Sequence, residues 1–157
     1  MLRIRPVNDR DVGRLWEWVN DPIARASAFR SDPIPWDEHL AWFERKSADA
    51  RCRMYILEAD GEPAGQVRFD IDTVGRAEVD ISIAAEYRGR GYGAEALRLA
   101  STRLFLDTGS TQVVAHIRSD NGASVRSFEK AGFVAAGRSR VAGSDAFRMT
   151  LTREGVR

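Results

Sequence analysis

The stretch Tyr87-Arg88-Gly89-Arg90-Gly91-Tyr92-Gly93 carries three glycines at alternate positions and two arginines beside them. An alternating segment precedes this stretch, and a helical pattern follows from Ala94. Glycines leave backbone N–H groups open to a ligand, and the N-terminus of a helix carries a partial positive charge. Backbone donors, arginine cations and a helix N-terminus together predict a binding site for a pyrophosphate group.

The spacing of these glycines is compatible with more than one kind of site. Gly89-x-Gly91-x-x-Ala94 matches the G-x-G-x-x-G/A fingerprint of dinucleotide-binding folds. That fingerprint belongs to the first strand–helix turn of a repeated βαβ unit, whereas this loop follows three strands in mid-chain. A Walker phosphate loop is excluded because no Gly-Lys-Ser or Gly-Lys-Thr sequence is present. A purely structural turn is the third interpretation, although the two arginines exceed what a turn requires.

Hydrophobic periodicity outward from the loop predicts alternating strands and helices in the order β-α-α-β-β-β-α-β-α-β-β. A run of antiparallel strands in mid-chain favours an α+β fold over a doubly wound parallel sheet. A loop is expected after Asp21-Pro22, between the first two helices. The predicted strands cover residues 2–7, 52–58, 63–72, 77–84, 112–117 and two segments after Phe133, and the predicted helices begin near Asn8, Trp36, Ala94 and Asn121.

Length and composition limit the classes of protein that this chain can be. With 157 residues it is expected to form one domain, residues 1–157. A net charge of +1 argues against nucleic-acid and membrane-surface partners. No apolar run is long enough to cross a membrane and the N-terminus lacks a signal-peptide core, so a cytoplasmic protein is expected. Cys52 is the single cysteine, which excludes an internal disulfide and predicts a buried structural thiol.

Two separate motifs carry a resemblance to a known family. Arg88-Gly89-Arg90-Gly91-Tyr92-Gly93 is similar to the R-x-x-G-x-G/A acyl-CoA motif of the GNAT superfamily of acetyltransferases. The second motif, Asn121-Gly122-Ala123-Ser124-Val125-Arg126-Ser127-Phe128-Glu129-Lys130-Ala131-Gly132-Phe133, resembles that family's Asn, small residue, aromatic and Lys-x-Gly-Phe signature. The resemblance implies a GNAT fold, which is a single mixed, mostly antiparallel twisted sheet of about seven strands. Helices would cover both faces of the sheet, and strands 4 and 5 would splay apart.

The resemblance also implies acetyl-CoA as co-substrate, and no metal. In this family acetyl-CoA lies in the wedge between strands 4 and 5, where its pantetheine pairs with the backbone of strand 4. Asn121 would bind the pantetheine or only cap the next helix, and Lys130 would meet the 3′-phosphate or stay in solvent. The cofactor-binding residues that the resemblance implies are Ile81, Ser82, Ile83, Arg88, Gly89, Arg90, Gly91, Tyr92, Gly93, Asn121, Ser124 and Lys130.

The resemblance implies direct attack of an amine on the thioester, so Cys52 is not needed as a nucleophile. Many relatives protonate the leaving thiolate with a Tyr seven residues after the motif Asn, but that position is Phe128 here, which cannot donate a proton. In ribosomal-protein N-acetyltransferases that resemble this chain, a serine at the position of Ser124 is thought to act instead. Ser124 is therefore the candidate acid, and the alternative is a small residue that only admits the cofactor.

Three residues are candidates for the base that takes a proton from the amine: Glu78, Asp80 and His116. Glu78, Asp80 and Ser82 alternate onto one face of strand 4. His116 lies near the end of strand 5, and histidine has the ordinary pKa closest to neutral. For each residue alone, a structural ion pair or hydrogen bond is the alternative role. His39, which lies among aromatic residues of a helix, is expected to pack.

The N-terminal part resembles one branch of the superfamily. Residues 15–22 and 34–43 are similar to the W-x-N-D-P … I-x-x-x-E-H-x-x-W-F pattern of acetyltransferases acting on UDP-linked 4-amino sugars, and less fully to ribosomal-protein acetyltransferases. An amino-sugar nucleotide is therefore the predicted acceptor, with Trp18, Asn20 and Asp21 as candidate ligands. A rim tryptophan and ordinary helix-ending residues are the alternatives. A protein N-terminus or another small amine as acceptor, or a non-catalytic acyl-CoA-binding module, stays open, and the family makes a homodimer possible.

Overall fold

The protein is described by a computed structural model over residues 1–155, in which seven strands form one sheet. The strands are β1 Leu2–Pro6, β2 Cys52–Ala59, β3 Glu62–Ile71, β4 Arg76–Ile83, β5 Gln112–Arg118, β6 Val134–Val141 and β7 Ser144–Thr152. Their order across the sheet is β1-β2-β3-β4-β5-β7-β6. Neighbouring strands are antiparallel except for β4 and β5, which are parallel. This mixed, mostly antiparallel sheet confirms the predicted α+β class.

Five α-helices are found within the described residues. They are α1 Val12–Val19, α2 Pro22–Ser27, α3 Trp36–Ser47, α4 Tyr92–Asp107 and α5 Gly122–Lys130. No helix in residues 1–155 is both long and apolar enough to cross a membrane. The element order agrees with the order predicted from the sequence except for α2.

The loop predicted after Asp21-Pro22 is wrong, because α2 begins there. Asp21 Oδ2 accepts hydrogen bonds from the N–H groups of Ile23 at 3.1 Å and Ala24 at 3.0 Å. Pro22 takes the first helical position, where its missing N–H costs nothing. The same two residues thus end α1 and start α2, which a rule that treats proline only as a helix breaker does not predict.

Helices pack on both faces of the sheet, as predicted, and the two faces have separate apolar clusters. Leu57 of β2 is buried with Leu97 of α4 in the larger cluster. Ile56, the preceding residue, is buried with Leu15 of α1 and Phe43 of α3 in the smaller cluster. Successive side chains of a strand point to opposite faces, so α4 covers one face while α1 and α3 cover the other.

The two central strands separate along their length. β4 and β5 pair only at their starts, where residues 76–78 lie opposite residues 112–114. Beyond that point residues 79–83 keep their pairing with β3 but have no partner in β5. The predicted splay between strands 4 and 5 is confirmed, and it leaves a wedge with an unpaired backbone edge at the centre of the sheet.

Candidate functional site

A cavity of about 730 Å³ lies at the wedge, lined by residues of α1, α2, α3, the central strands and α5. Its lining includes six residues that the sequence predicted for the site, namely Asp80, Ile81, Ser82, His116, Asn121 and Ser124. These residues come from β4, β5 and the N-cap and first turn of α5 and are as much as 44 positions apart in the chain, so the splayed strands bring them together.

A glutamine that was not singled out from the sequence organises the β4 side of the cavity. Gln66 Nε2 donates to Asp80 Oδ2 at 2.9 Å and to Ser82 Oγ at 3.2 Å. Arg68 Nη1 lies 3.8 Å from the same Asp80 oxygen. The register of β3 with β4 causes this arrangement, because Gln66 lies opposite Ser82 and Arg68 lies opposite Asp80. Asp80 is therefore held between an amide and a guanidinium.

Arg68 connects Asp80 to a network of charged side chains. Its Nε donates to Asp70 Oδ2 at 3.1 Å, Lys46 Nζ donates to Asp70 Oδ1 at 2.7 Å, and its guanidinium lies 5.1 Å from the Trp42 ring centre. Burial alone would lower the pKa of Arg68, but Asp80 and Asp70 outweigh burial and raise it. Burial would raise the pKa of Asp70, but Lys46 and Arg68 outweigh burial and lower it. The two cations and two carboxylates balance one another.

The start of α5 presents a serine hydroxyl to the cavity. Asn121 Oδ1 accepts a hydrogen bond from the Ser124 N–H at 3.2 Å and so caps the helix. Among residues 1–155 the Ser124 hydroxyl has no hydrogen-bond partner, whereas the Ser127 hydroxyl donates to Ala123 O at 3.3 Å. Phe128 is 3% exposed and packs mainly in the core. Ser124 is therefore the hydroxyl of α5 that is available to a ligand in the cavity.

The three candidate bases differ in position. His116 lines the cavity from β5, and its Nδ1 lies 3.3 Å from Ser139 Oγ, which leaves Nε2 without a partner in the described residues. Asp80 lines the cavity as well. Glu78 is exposed, lies opposite Asp70 and is not a lining residue. The geometry brings His116 and Asp80 to the cavity and leaves Glu78 outside it.

The glycine loop offers free backbone donors. Gly89 and Gly91 both have φ of 78°, a left-handed conformation that other residues rarely adopt. A Cβ added at either glycine would meet no atom within 4 Å, so the space above the loop is open. The N–H groups of residues 89–93 donate to no acceptor within residues 1–155, and Gly91 caps the N-terminus of α4. This arrangement has the donors that a pyrophosphate group requires.

The arginine side chains brace the loop. Arg88 Nε donates to Ile83 O at 3.0 Å, and its Nη2 donates to Asp21 Oδ2 at 3.0 Å. Arg90 Nη2 donates at 3.1 Å to a carbonyl of the preceding turn. The N–H of Arg88 is itself used in that turn. The free backbone donors of the loop therefore begin at Gly89, and Arg88 links the loop to β4 and to α2.

The edge of β4 in the wedge remains available to an extended ligand. Ile81 and Ser82 line the cavity, and residues 79–83 have no pairing with β5. An extended chain can pair with such an edge as an added strand would. Lys130, by contrast, is exposed at the end of α5 and lies outside the cavity lining.

The residues predicted to bind the acceptor hold the N-terminal segment together. Asn20 Oδ1 accepts from Ile34 N at 2.7 Å, and its Nδ2 donates to Ile34 O at 3.0 Å. Asp21 caps α2 and pairs with Arg88, and a backbone N–H of α2 and then Arg88 lower the pKa of Asp21. Trp18 packs beside the smaller core cluster. None of the three lines the cavity, and their role as acceptor ligands stays a prediction.

Gly65 of β3 is a further residue that supports the site and was missed from the sequence. A Cβ at this position would lie 2.6 Å from Ser82 O and 2.9 Å from Ile83 Cδ1. Only glycine lets β3 approach the end of β4 so closely. A glycine inside a strand is a signal of close backbone approach, and this signal was available in the sequence.

The lone thiol and His39 are buried, as predicted. Cys52 is 9% exposed, and burial, with Asp70 nearby, raises the pKa of its thiol to about 11. His39 is 4% exposed, its Nε2 donates to Val12 O at 2.9 Å, and it stacks on Trp42 with ring centres 5.6 Å apart. Burial lowers the pKa of His39 although the hydrogen bond to Val12 opposes it. Both side chains pack within the fold, and His39 also contributes to the lining of the cavity.

Known proteins similar to this chain share the fold. An aminoglycoside acetyltransferase in complex with coenzyme A and kanamycin superposes with a TM-score of 0.87 at 21% identity, covering 99% of this chain and 96% of that one. A spermidine N-acetyltransferase from Vibrio cholerae in complex with CoA and spermine superposes with a TM-score of 0.87 at 22% identity, covering 99% and 97%. These likenesses establish the same arrangement of strands and helices over nearly the whole chain.

Sequence comparison points to the same group. Spermidine N(1)-acetyltransferase of Escherichia coli strain K12 is 25% identical over 138 residues, which is 87% of this chain and 74% of that protein. The family model described as Acetyltransferase (GNAT) domain matches residues 1–134, which include the splayed strands, the glycine loop and the start of α5. The chain therefore belongs to the GNAT acetyltransferase family.

Proposed function

We propose that this protein transfers an acetyl group from acetyl-CoA to a primary amine by direct attack of the amine. The observation that carries the proposal is the cavity at the β4–β5 wedge, flanked by a loop with free backbone donors. Acetyl-CoA supplies a thioester whose carbonyl carbon accepts the amine. The relatives named for spermidine and aminoglycoside acetylation support an amine as acceptor.

The donor is held mainly by backbone groups. The N–H groups of residues 89–93 bind the pyrophosphate, with the N-terminus of α4 behind them. The unpaired edge of β4 at Ile81, Ser82 and Ile83 pairs with the pantetheine. Asn121 orients the first turn of α5 beside it. These contacts leave the thioester end of the donor at the cavity, where the acceptor enters.

Two side chains move protons at the cavity. Ser124 protonates the departing thiolate, because its hydroxyl lines the cavity and has no partner among the described residues. His116 removes the proton from the incoming ammonium through its free Nε2. Asp80 is the weaker candidate, because it already accepts from Gln66 and faces Arg68. Since Glu78 lies outside the cavity lining, it has no part in this proposal.

The acceptor is a small molecule with a primary amine. The names of the relatives do not support the amino-sugar nucleotide expected from the N-terminal pattern. Such a molecule remains a candidate to be tested beside polyamines, aminoglycosides and peptides with a free N-terminus. Trp18, Asn20 and Asp21 contribute by holding α1, α2 and the segment before α3 around the cavity.

A thermal-shift measurement with CoA and with NAD tests the donor. A ligand at 100 times its Kd stabilises a protein by about 2.7 kcal/mol, so CoA is expected to raise Tm by several degrees while NAD does not. Stabilisation by NAD alone would overturn the proposal. Following thiol release from acetyl-CoA with the amine panel then tests transfer. Tight CoA binding without thiol release from any amine would instead indicate a non-catalytic acyl-CoA-binding module.

A further inference from the structure

The charges that line the cavity are mostly positive. Four arginines line it, namely Arg25, Arg45, Arg68 and Arg118, but only two carboxylates do, namely Glu38 and Asp80. From this imbalance we infer that the acceptor amine carries an anionic group, a carboxylate or a phosphate, on the same molecule. The inference rests on the proposed acetyl transfer and specifies the class of acceptor for that same cavity.

The positive charge of Arg68 is already balanced by carboxylates of the protein. Arg68 of β3 and Lys46 of α3 face Asp70 of β3 and Asp80 of β4, so these four charges sum to zero. Asp80 is therefore not free to attract a second cationic group of an acceptor. Glu38 is the remaining carboxylate of the lining, and it has no ion pair within the described residues.

Of the other arginines, Arg118 is paired with a carboxylate, whereas Arg25 and Arg45 have no ion pair within residues 1–155. Arg118 Nη1 donates to the carbonyls of α2 and of the segment after it, and its Nη2 pairs with the exposed Asp120 at 2.7 Å. Arg25 Nη1 donates to two backbone carbonyls at 2.9 and 3.3 Å, which do not neutralise the charge, and its Nε is buried without a partner in the described residues. Arg45 forms neither a hydrogen bond nor an ion pair within residues 1–155. The acceptor side of the cavity thus has net positive charge.

Arg45 is the residue best placed to bind the anionic group. It lies on α3 one turn after Trp42, lines the cavity and is exposed, so all its donors are available. A guanidinium binds a carboxylate or phosphate through two parallel hydrogen bonds. A polyamine would instead bring ammonium groups beside Arg45 and Arg25, and like charges at a binding site are unfavourable. A polycationic acceptor requires unpaired carboxylates in its binding site, whereas this cavity has an excess of arginines.

Matched pairs of acceptors test the inference with the full chain and acetyl-CoA. One pair is a dipeptide and its C-terminal amide, which differ in a carboxylate, and the other is an amino-sugar nucleotide and the free amino sugar, which differ in phosphates. The acid-bearing member of one pair is expected to have a kcat/KM roughly 10- to 100-fold higher, as the loss of a charge-assisted contact implies. The pair that shows the larger ratio identifies carboxylate or phosphate as the group. Spermidine is expected to be a poorer acceptor than either preferred member.

Variants of Arg45 locate the contact. Arg45→Gln is expected to raise KM for the acid-bearing acceptor roughly tenfold, with KM for acetyl-CoA unchanged, and Arg45→Glu is expected to shift the preference toward spermidine. Arg10→Gln removes one exposed positive charge outside the lining and serves as control. Equal turnover within both pairs, or spermidine as the best acceptor, overturns this inference alone. Lack of turnover with every amine overturns the proposed transfer as well.

Discussion

The donor side and the acceptor side of the cavity are built in different ways. The side proposed to bind the donor, called the donor side, consists of residues 79–93 and the start of α5, and the groups it offers are mostly backbone N–H and strand-edge groups. The acceptor side consists of α1, α2, α3 and the facing strands, and its binding groups are side chains. A backbone site needs glycines at a few adjacent positions, whereas a side-chain site can use residues from anywhere in the chain. The first kind can therefore be recognised in a short motif and the second cannot.

An ion pair links the glycine loop to the start of α2. Arg88 of the glycine loop and Asp21 at the start of α2 are 67 residues apart in the chain and meet at 3.0 Å. The same Arg88 holds the carbonyl of Ile83 at the end of β4. The loop proposed to bind the donor is therefore braced against the helices proposed to enclose the acceptor. Substitutions on either side can test how far the two are independent.

The largest effect is expected from the donor side, in Ser124→Ala. If Ser124 protonates the thiolate, kcat should fall roughly 10²–10⁴-fold while KM for acetyl-CoA changes little. Single-turnover and steady-state rates with a good acceptor measure this. Ser127→Ala on the same helix is the control, because its hydroxyl bonds to the helix backbone. An unchanged kcat in Ser124→Ala would show that the serine only makes room for the donor.

His116→Gln, on the acceptor side, is expected to lower kcat/KM by a factor of similar size. Removing a general base should lower kcat/KM by roughly 10²–10⁴-fold, which steady-state rates with a good acceptor measure. Asp80→Asn is the comparison, since Asp80 lines the same cavity but is already engaged by Gln66. If Asp80→Asn lowers kcat/KM by this factor and His116→Gln does not, then Asp80 is the base.

An intermediate effect on stability and on CoA affinity is expected from Gly65→Ala, because this substitution disturbs β4 of the donor side. The new Cβ would lie 2.6 Å from Ser82 O, so β4 must shift, at a cost of roughly 1–3 kcal/mol of folding free energy. The affinity for CoA should fall too, because the strand edge that meets the pantetheine moves. Urea unfolding and CoA titration measure both quantities. Gly13→Ala, whose Cβ meets no atom within 4 Å, should leave both near their starting values or stabilise slightly.

A smaller effect is expected from Asp21→Asn. Asparagine caps a helix about as well as aspartate, so α2 should persist, while the ion pair with Arg88 is lost. Because both side chains are partly exposed, the loss should be about 1 kcal/mol, which is roughly a fivefold rise in KM for acetyl-CoA. Asp37→Asn, an exposed change in α3, is the control. A rise in KM for the acceptor without one for acetyl-CoA would mean that this ion pair does not couple the two sides.

The smallest effect is the pH dependence that His39 of α3, on the acceptor side, gives to the free energy of unfolding. Burial lowers the pKa of folded His39 below its ordinary value of 6.5, so the unfolded chain takes up a proton more readily. The contribution of neutral His39 to the free energy of unfolding is fully present above about pH 6.5. It is lost as the pH falls through the lower pKa of the folded state. His39→Gln should reduce the slope of unfolding free energy against pH just below 6.5. The same slope in both proteins would contradict this assignment.

Most of the fold could be predicted from the sequence. Alternation and helical periodicity report which face of an element is buried, and the splay followed from the resemblance of two motifs to one family. The helix α2 was missed because Asp21-Pro22 can both end one helix and start the next, and only the geometry shows that it does both here. Gln66 was missed because its importance depends on lying opposite Ser82, which is a property of strand register.

The proposed donor side could be predicted from local sequence. The glycines with the helix start after them form one short segment, the signature from Asn121 to Phe133 forms another, and backbone sites depend on local conformation. The acceptor side was decided only by the tertiary structure. Its charge depends on which arginines face the cavity and on which of them already meet a carboxylate, as Arg68 does and Arg45 does not. Those pairings arise from packing and register between distant segments, so no local pattern reports them.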